Sequence, residues 1–365
     1  MRFNENLLQD LLAELALNRK NVIVVTSRNT LLQYRTNDLT LEKSIQCDYQ
    51  ATSICSLILN DSNALKVFFG SVLGDLIQWD VTKTGKESVK MFYGHKGMIF
   101  AIASDRSKIF TTSDDRTLRM WSTDNMENGP ICSAFGHTAR PFAIYVDSKH
   151  YKIFTGGIEQ AIFVWSYTNS ELYLNRKIFL SIGVFRKITP IDENFLAIGS
   201  RGGNLMIVNV GDASGAEELI PDEIRNFGFL DEKLVILNEK NVPKISTIPA
   251  VFTVIRISQS IEVLVLGSSH GELLYVNLTN PDVHVAKYCL KVIDLHEDSF
   301  WLRSLQKPDE GRVVCVKISQ IEDEIVFFVS YSSAIIEIFK MEDNELKSAG
   351  RIDLPQELGI GAKVK

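Results

Sequence analysis

Three of the four tryptophans end a β-like run and are followed by a small polar residue: Leu76-Ile77-Gln78-Trp79-Asp80, Leu118-Arg119-Met120-Trp121-Ser122 and Ile162-Phe163-Val164-Trp165-Ser166. They stand 42 and 44 residues apart. A period of roughly 40 to 45 residues is that of a four-stranded unit repeated side by side, each burying its faces against the next. A chain of 365 residues with this period is therefore read as an array of small sheets before it is divided into conventional domains of roughly 150 residues.

The rest of the chain repeats more faintly. Val22 to Tyr34, Phe195 to Val208, Leu234 to Ile245, Leu264 to Val276 and Phe327 to Phe339 each read as two short strands around a small or polar turn. With the three tryptophan runs this makes eight candidates for the central hairpin of a unit. The expected fold is all-β, a β-propeller of about seven four-stranded blades, with the chain ends able to share one blade. Leu7, Leu8, Leu11, Leu12 and Leu15 fall at helical intervals and predict a short N-terminal amphipathic helix within 1–18. The propeller is expected over 19–340, with an edge strand and tail over 341–365. The stretch 280–323, which carries Trp301, is longer than one blade requires and reads as an insertion.

Composition excludes several function classes. Apolar residues at 45% and charged residues at 23% suit a chain that builds a core. A net charge of -6 argues against a stand-alone nucleic-acid binder, since phosphate neutralisation drives such binding, so any RNA contact needs a local basic patch. Cys47, Cys55, Cys132, Cys289 and Cys315 contain no C-x-x-C pair and are odd in number, as expected of small buried hydrophobes in a reducing, cytoplasmic setting. No apolar run reaches the roughly 20 residues of a membrane span. The histidines show no metal-ligand spacing, no phosphate-binding glycine loop occurs, and short strands without alternating helices do not build a nucleotide or methyl-donor pocket. Neither catalysis nor a bound cofactor or metal is expected in this chain.

Gly94-His95 and Gly136-His137 precede the second and third tryptophans, with 26 and 28 residues from histidine to tryptophan. Thr111 and Asp115 lie ten and six residues before Trp121, and Thr155 and Glu159 occupy the same offsets before Trp165. In this arrangement the chain resembles the WD-repeat family, in which a buried His-Ser/Thr-Asp-Trp network joins each repeat. The resemblance implies one complete network of His95, Thr111, Asp115 and Trp121. A second would comprise His137, Thr155, Glu159 and Trp165, looser or differently bonded because glutamate replaces aspartate. A catalytic triad is the poorer reading, because no nucleophile elbow accompanies the threonines.

A narrower resemblance rests on Gly94-His95-Lys96-Gly97-Met98-Ile99-Phe100, then Ser113 to Trp121 (SDDRTLRMW), then Phe135 to Arg140 (FGHTAR). In this order the elements look like the WD-repeat auxiliary subunit of eukaryotic tRNA 2′-O-ribose methyltransferase. That resemblance implies a non-catalytic subunit in a heteromeric complex rather than a homo-oligomer. It would partner a methyltransferase that supplies S-adenosylmethionine, and position tRNA for methylation at the wobble nucleotide. Candidate RNA or partner contacts are Arg116, Arg119, Arg140, Arg176, Lys177, Arg186, Lys187 and Arg201, each more readily read on its own as a solvated or stem-packing surface charge. The rival reading is a protein-protein scaffold or adaptor in trafficking, ubiquitination or signalling.

Overall fold

The computed structural model describes residues 64–105 and 107–180 without a break. Beyond them it describes 13–17, 21–26, 30–35, 38–46, 51–59, 184–190, 193–200, 205–211, 226–227, 249–256, 262–268, 272–277, 285–286, 289–290, 303–306, 313–321, 324–331, 335–342 and 345–354. These residues form two compact units, Met1–Lys177 with Leu354–Lys365, and Ile178–Asp353.

In the first unit the chain lays down four antiparallel sheets, each of four strands in sequence order. The first comprises β1 (Ala13–Leu17), β2 (Asn21–Thr26), β3 (Thr30–Arg35) and β4 (Leu41–Gln46), and the second β5 (Ala51–Leu59), β6 (Ala64–Ser71), β7 (Leu76–Asp80) and β8 (Val89–Phe92). The third comprises β9 (Ile99–Ser104), β10 (Lys108–Ser113), β11 (Leu118–Ser122) and β12 (Cys132–Ala134), and the fourth β13 (Pro141–Asp147), β14 (Lys152–Gly157), β15 (Ala161–Tyr167) and β16 (Leu172–Phe179). The first strand of each sheet lies against that of the next: β1 on β5, β5 on β9 and β9 on β13.

The second unit repeats the plan. Its sheets are β17 (Phe185–Pro190), β18 (Phe195–Ser200), β19 (Leu205–Asn209) and β20 (Asn226–Phe227), then β21 (Pro249–Arg256), β22 (Glu262–Ser268) and β23 (Glu272–Asn277). The ribbon β24–β25 (Val285–Ala286, Cys289–Leu290) intervenes before β26 (Arg303–Gln306) closes the β21 sheet, within the stretch read as an insertion. The last sheet is β27 (Val313–Ile321), β28 (Glu324–Tyr331), β29 (Ile335–Glu342) and β30 (Glu345–Asp353). Among the described residues this makes seven four-stranded sheets, and none mixes strands from the two chain ends. Seven of the eight expected central hairpins are the second and third strands of these sheets, while Leu234 to Ile245 lies outside the described residues.

Of the expected N-terminal helix, residues 13–17 instead form strand β1, paired antiparallel with β2 from Ala13 opposite Thr26 to Leu17 opposite Val22. Residues 1–12 lie outside the described set. Leu15 and Leu17 also satisfy a period of two, and the first sheet lacks its leading strand without them.

Trp79, Trp121 and Trp165 each plug the space between two sheets. Trp79 packs with Ile23 and Leu31 of the first sheet, Trp121 with Phe68 and Leu76 of the second, and Trp165 with Phe110 and Met120 of the third. The central strands are covered on both sides, so β10 and β14 are buried almost end to end, whereas the outer strand β4 alternates between exposed and half-buried. Truncating an inter-sheet aromatic leaves a cavity that two rigid sheets collapse into poorly. Phe110→Ala is expected to cost about 3 to 5 kcal/mol in urea unfolding, against under about 1 kcal/mol for Phe135→Ala, since Phe135 is 79% exposed.

Candidate functional site

In an up-and-down sheet the turn between second and third strands and the link to the next sheet fall at the same end, where His95, Asp115, His137, Glu159, Arg116 and Arg140 sit. The link before β9 carries His95 under the β10–β11 turn. Its Nδ1 lies 2.9 Å from Asp115 Oδ2 and its Nε2 2.6 Å from Thr111 Oγ1. Trp121 Nε1 donates to the same threonine hydroxyl at 2.9 Å. One proton assignment satisfies every group: indole N–H to Thr111, Thr111 O–H to histidine Nε2, and histidine Nδ1–H to the carboxylate. The imidazole is then neutral. Asp115 also accepts from the Lys96 amide at 3.0 Å and from the Thr117 amide and hydroxyl at 3.0 and 2.6 Å.

Glu159 behaves otherwise than its length suggests. Its Oε2 lies 2.6 Å from His137 Nδ1, and the rest of the chain of bonds is intact, with His137 Nε2 2.7 Å from Thr155 and Trp165 Nε1 2.8 Å from that hydroxyl. The contact is not looser. The extra methylene carries Oε1 beyond the ring to the Thr138 amide, the Thr138 hydroxyl at 2.6 Å and the Ala139 amide at 2.9 Å. Trp79 shows the alternative. Phe69 and Leu73 stand at the threonine and aspartate offsets, and the buried indole N–H has no acceptor among the described residues, a cost of about 1 to 3 kcal/mol carried by apolar packing.

Two glycines are required by close approach. A side chain on Gly94 would place its Cβ 2.3 Å from the Trp121 ring. Gly74 has φ +96°, and a Cβ there would meet the His95 and Gly97 carbonyls at 2.7 Å; its own carbonyl accepts from the His95 amide at 3.2 Å.

Burial lowers the proton affinity of both imidazoles, outweighing the opposing pull of Asp115 on His95 and of Glu159 on His137. For Asp115 burial pushes the other way, but the bonds from His95 and Thr117 prevail and hold the carboxyl far below its usual range. Glu159 is likewise lowered: burial opposes, while Thr138 and His137 prevail. Chemically this is a structural clasp. Thr111 is wholly buried, with one hydroxyl role taken by the indole and the other by the imidazole, so it presents no nucleophile to a substrate.

The basic candidates divide sharply. Arg119, expected at the surface, is largely covered: it donates to the Gly94 carbonyl at 2.6 Å, to Thr117 at 3.2 Å and to Asp115 at 3.3 Å. The fourth sheet has Phe163 at the corresponding position, and Lys177 supplies the cation from β16. Its Nζ sits 4.4 Å from the Phe163 ring centre and donates to the Gly136 carbonyl at 3.3 Å. Arg140 is exposed and paired through two nitrogens with Asp114, at 2.5 and 3.3 Å, joining the third sheet's turn to the start of the fourth. Arg116 is exposed. Arg176 and Lys187 are partly buried and have partners. Arg186 lies in β17, and Arg201 is outside the described residues. Sequence reasoning missed Thr117 and Lys96; the signal for Thr117 was its place two residues after the network aspartate.

The profile of the family described as WD domain, G-beta repeat, matches residues 86–122. That span holds the last strand of the second sheet and the first three of the third. No curated protein sequence matches the chain. Solved structures similar to it include the WD40 β-propeller domain of Doa1 (15% identity, 90% of this chain and 91% of that one, TM-score 0.60). The RRP9 WD40 repeats (14%, 90% and 89%, 0.59) and U3-55K (14%, 90% and 90%, 0.59) are also similar. At such identities the likeness concerns fold: the chain has the all-β WD40 propeller fold, with blades as antiparallel sheets.

Two outcomes test the site. Asp115→Ala strands both His95 and Arg119, and is expected to cost about 2 to 4 kcal/mol in urea unfolding, more than Glu159→Ala; equal midpoints for the two variants would contradict the assignment. Because folding depresses both imidazoles below the ordinary 6.5, the unfolded chain takes up protons that the native chain refuses. Stability present above about pH 6.5 is therefore lost as pH falls. The urea midpoint should drop between about pH 7.5 and 5.5, and drop less in His137→Gln.

Proposed function

We propose that this WD40-repeat protein is a non-catalytic scaffold that partners a tRNA 2′-O-ribose methyltransferase and positions tRNA for methylation at the wobble nucleotide. One observation carries the reading. The letters that these repeats share with any WD repeat, His95, Thr111, Asp115, Trp121, His137, Thr155 and Trp165, are turned inward and consumed in hydrogen bonds. Arg140 in GHTAR, the element that contributes most to the narrower resemblance, is exposed, and Arg116 in SDDR and Lys96 at the variable position of GHKG are exposed at the same end of adjoining sheets. Residues that do not hold the fold yet carry the resemblance are where partner and RNA contacts belong.

On this reading the partner brings S-adenosylmethionine and the chemistry, and the scaffold supplies orientation, holding one ribose hydroxyl at the partner's site so that a bimolecular encounter becomes effectively unimolecular. A heteromeric cytoplasmic complex follows. The protein-only adaptor reading draws on the net charge of -6 and on Leu73, 66% exposed at the β6–β7 turn.

Affinity capture of the tagged full chain from its native extract, with mass spectrometry of bound protein and sequencing of bound RNA, separates the two. The expected outcome is a ribose methyltransferase together with tRNA. Coat, ligase or signalling proteins without RNA would replace this reading with the adaptor one.

A further inference from the structure

The buried networks leave a pattern exposed above them. Tyr93 stands two residues before His95 and Phe135 two before His137; at 71% and 79% they are the two most exposed large hydrophobic side chains among the described residues. They hold the same place in successive repeats. The Arg119 guanidinium donates to the carbonyl of Gly94, next to Tyr93. Arg119 is itself paired across the β11–β12 ladder with Ser133, two residues before Phe135. Both rings therefore stand on links at the same end of neighbouring sheets.

Cations accompany them. The Lys96 amide donates to the Asp115 carboxylate, and Arg116 follows Asp115, so the two side chains leave the backbone around one carboxylate. That carboxylate is countered by Arg119, and Asp114 by Arg140. Four cations thus face two carboxylates, and the exposed Lys96 and Arg116 side chains have no polar partner among the described residues. Arg116 also holds φ +65°, a left-handed conformation that glycine or asparagine adopts at lower cost.

We infer that Tyr93, Lys96, Arg116 and Phe135 form a strip that binds single-stranded RNA, the rings stacking on bases and the cations meeting phosphates; this rests on the RNA-positioning reading above and extends it. Exposed aromatic faces interleaved with unneutralised cations match a strand of unpaired bases along a phosphate backbone. An acidic peptide would engage the cations and leave the rings idle.

The test is fluorescence anisotropy of the full chain with a short fluorescein-labelled RNA, single-stranded or annealed to its complement, across a salt series. The wild type is expected to prefer the single strand. Tyr93→Ala with Phe135→Ala should weaken that binding about tenfold or more with the salt slope kept, while Lys96→Gln with Arg116→Gln should flatten the slope by about 1.4. Arg116→Gly should weaken binding yet raise the thermal midpoint. Tyr151→Ala, 61% exposed on the β13–β14 turn at the opposite end of its sheet, should change neither. Unchanged affinity and slope in both double variants, equal binding of duplex, or equal competition by polyglutamate would overturn the strip. Unchanged RNA affinity in a chain that still captures a methyltransferase would overturn the strip alone. The expected RNA behaviour in a chain that captures none would support the strip and remove the methyltransferase reading.

Discussion

An indole buried between two sheets brings an N–H that water cannot reach, and the acceptor it finds organises the end of each sheet around it. At Trp121 and Trp165 the acceptor is a threonine hydroxyl, whose proton needs an imidazole nitrogen, whose other nitrogen needs a carboxylate. The chain of demands ends at the β10–β11 and β14–β15 turns and fixes the incoming link by its backbone amides. Because the sequence repeat at 86–122 takes its first strand from one sheet and the rest from the next, each network joins the connection to the central hairpin of the sheet that follows it. Trp79 lacks the network and relies on Phe69, Val67 and Ile77 around it.

The parts of the fold legible in the sequence were those with a strong local period. Tryptophan spacing and two-strand runs located seven central hairpins, since strands covered on both sides read as apolar runs punctuated by turn residues. For residues 13–17 the helical period shared by Leu11, Leu12 and Leu15 did not decide the outcome, because the pairing of β1 with β2 is a non-local fact that no local period reports; residues 1–12 lie outside the described set. At Glu159 the second of the two expectations holds, since the contact with His137 is no looser but the bonding differs. Side-chain length was judged against the aspartate pattern, whereas the added reach is absorbed by a second set of donors on Thr138 and Ala139.

At the candidate surface, sequence alone could not separate cations that face water from those that face carbonyls. Arg116 in the β10–β11 turn and Arg119 in β11 lie three residues apart, yet Arg119 is spent on Gly94, Thr117 and Asp115 while the Arg116 side chain has no polar partner among the described residues. Lys177 and Arg119 come from different strands of different sheets and do the same work on the glycine ahead of a network histidine. Positive charge at this end is therefore sparser than the count of basic residues suggests, and it gathers around the β10–β11 turn in a chain whose net charge is -6.

The central claim is that His95 and His137 are neutral, with the proton on Nδ1 given to a carboxylate and the lone pair on Nε2 given to a threonine. Long-range nitrogen-15 to proton NMR spectra of the full chain at about pH 6, slightly below the ordinary histidine midpoint, read this directly. The account predicts two histidines locked as neutral Nδ1–H tautomers. Imidazolium signals, or the Nε2–H tautomer, for these two residues would contradict it.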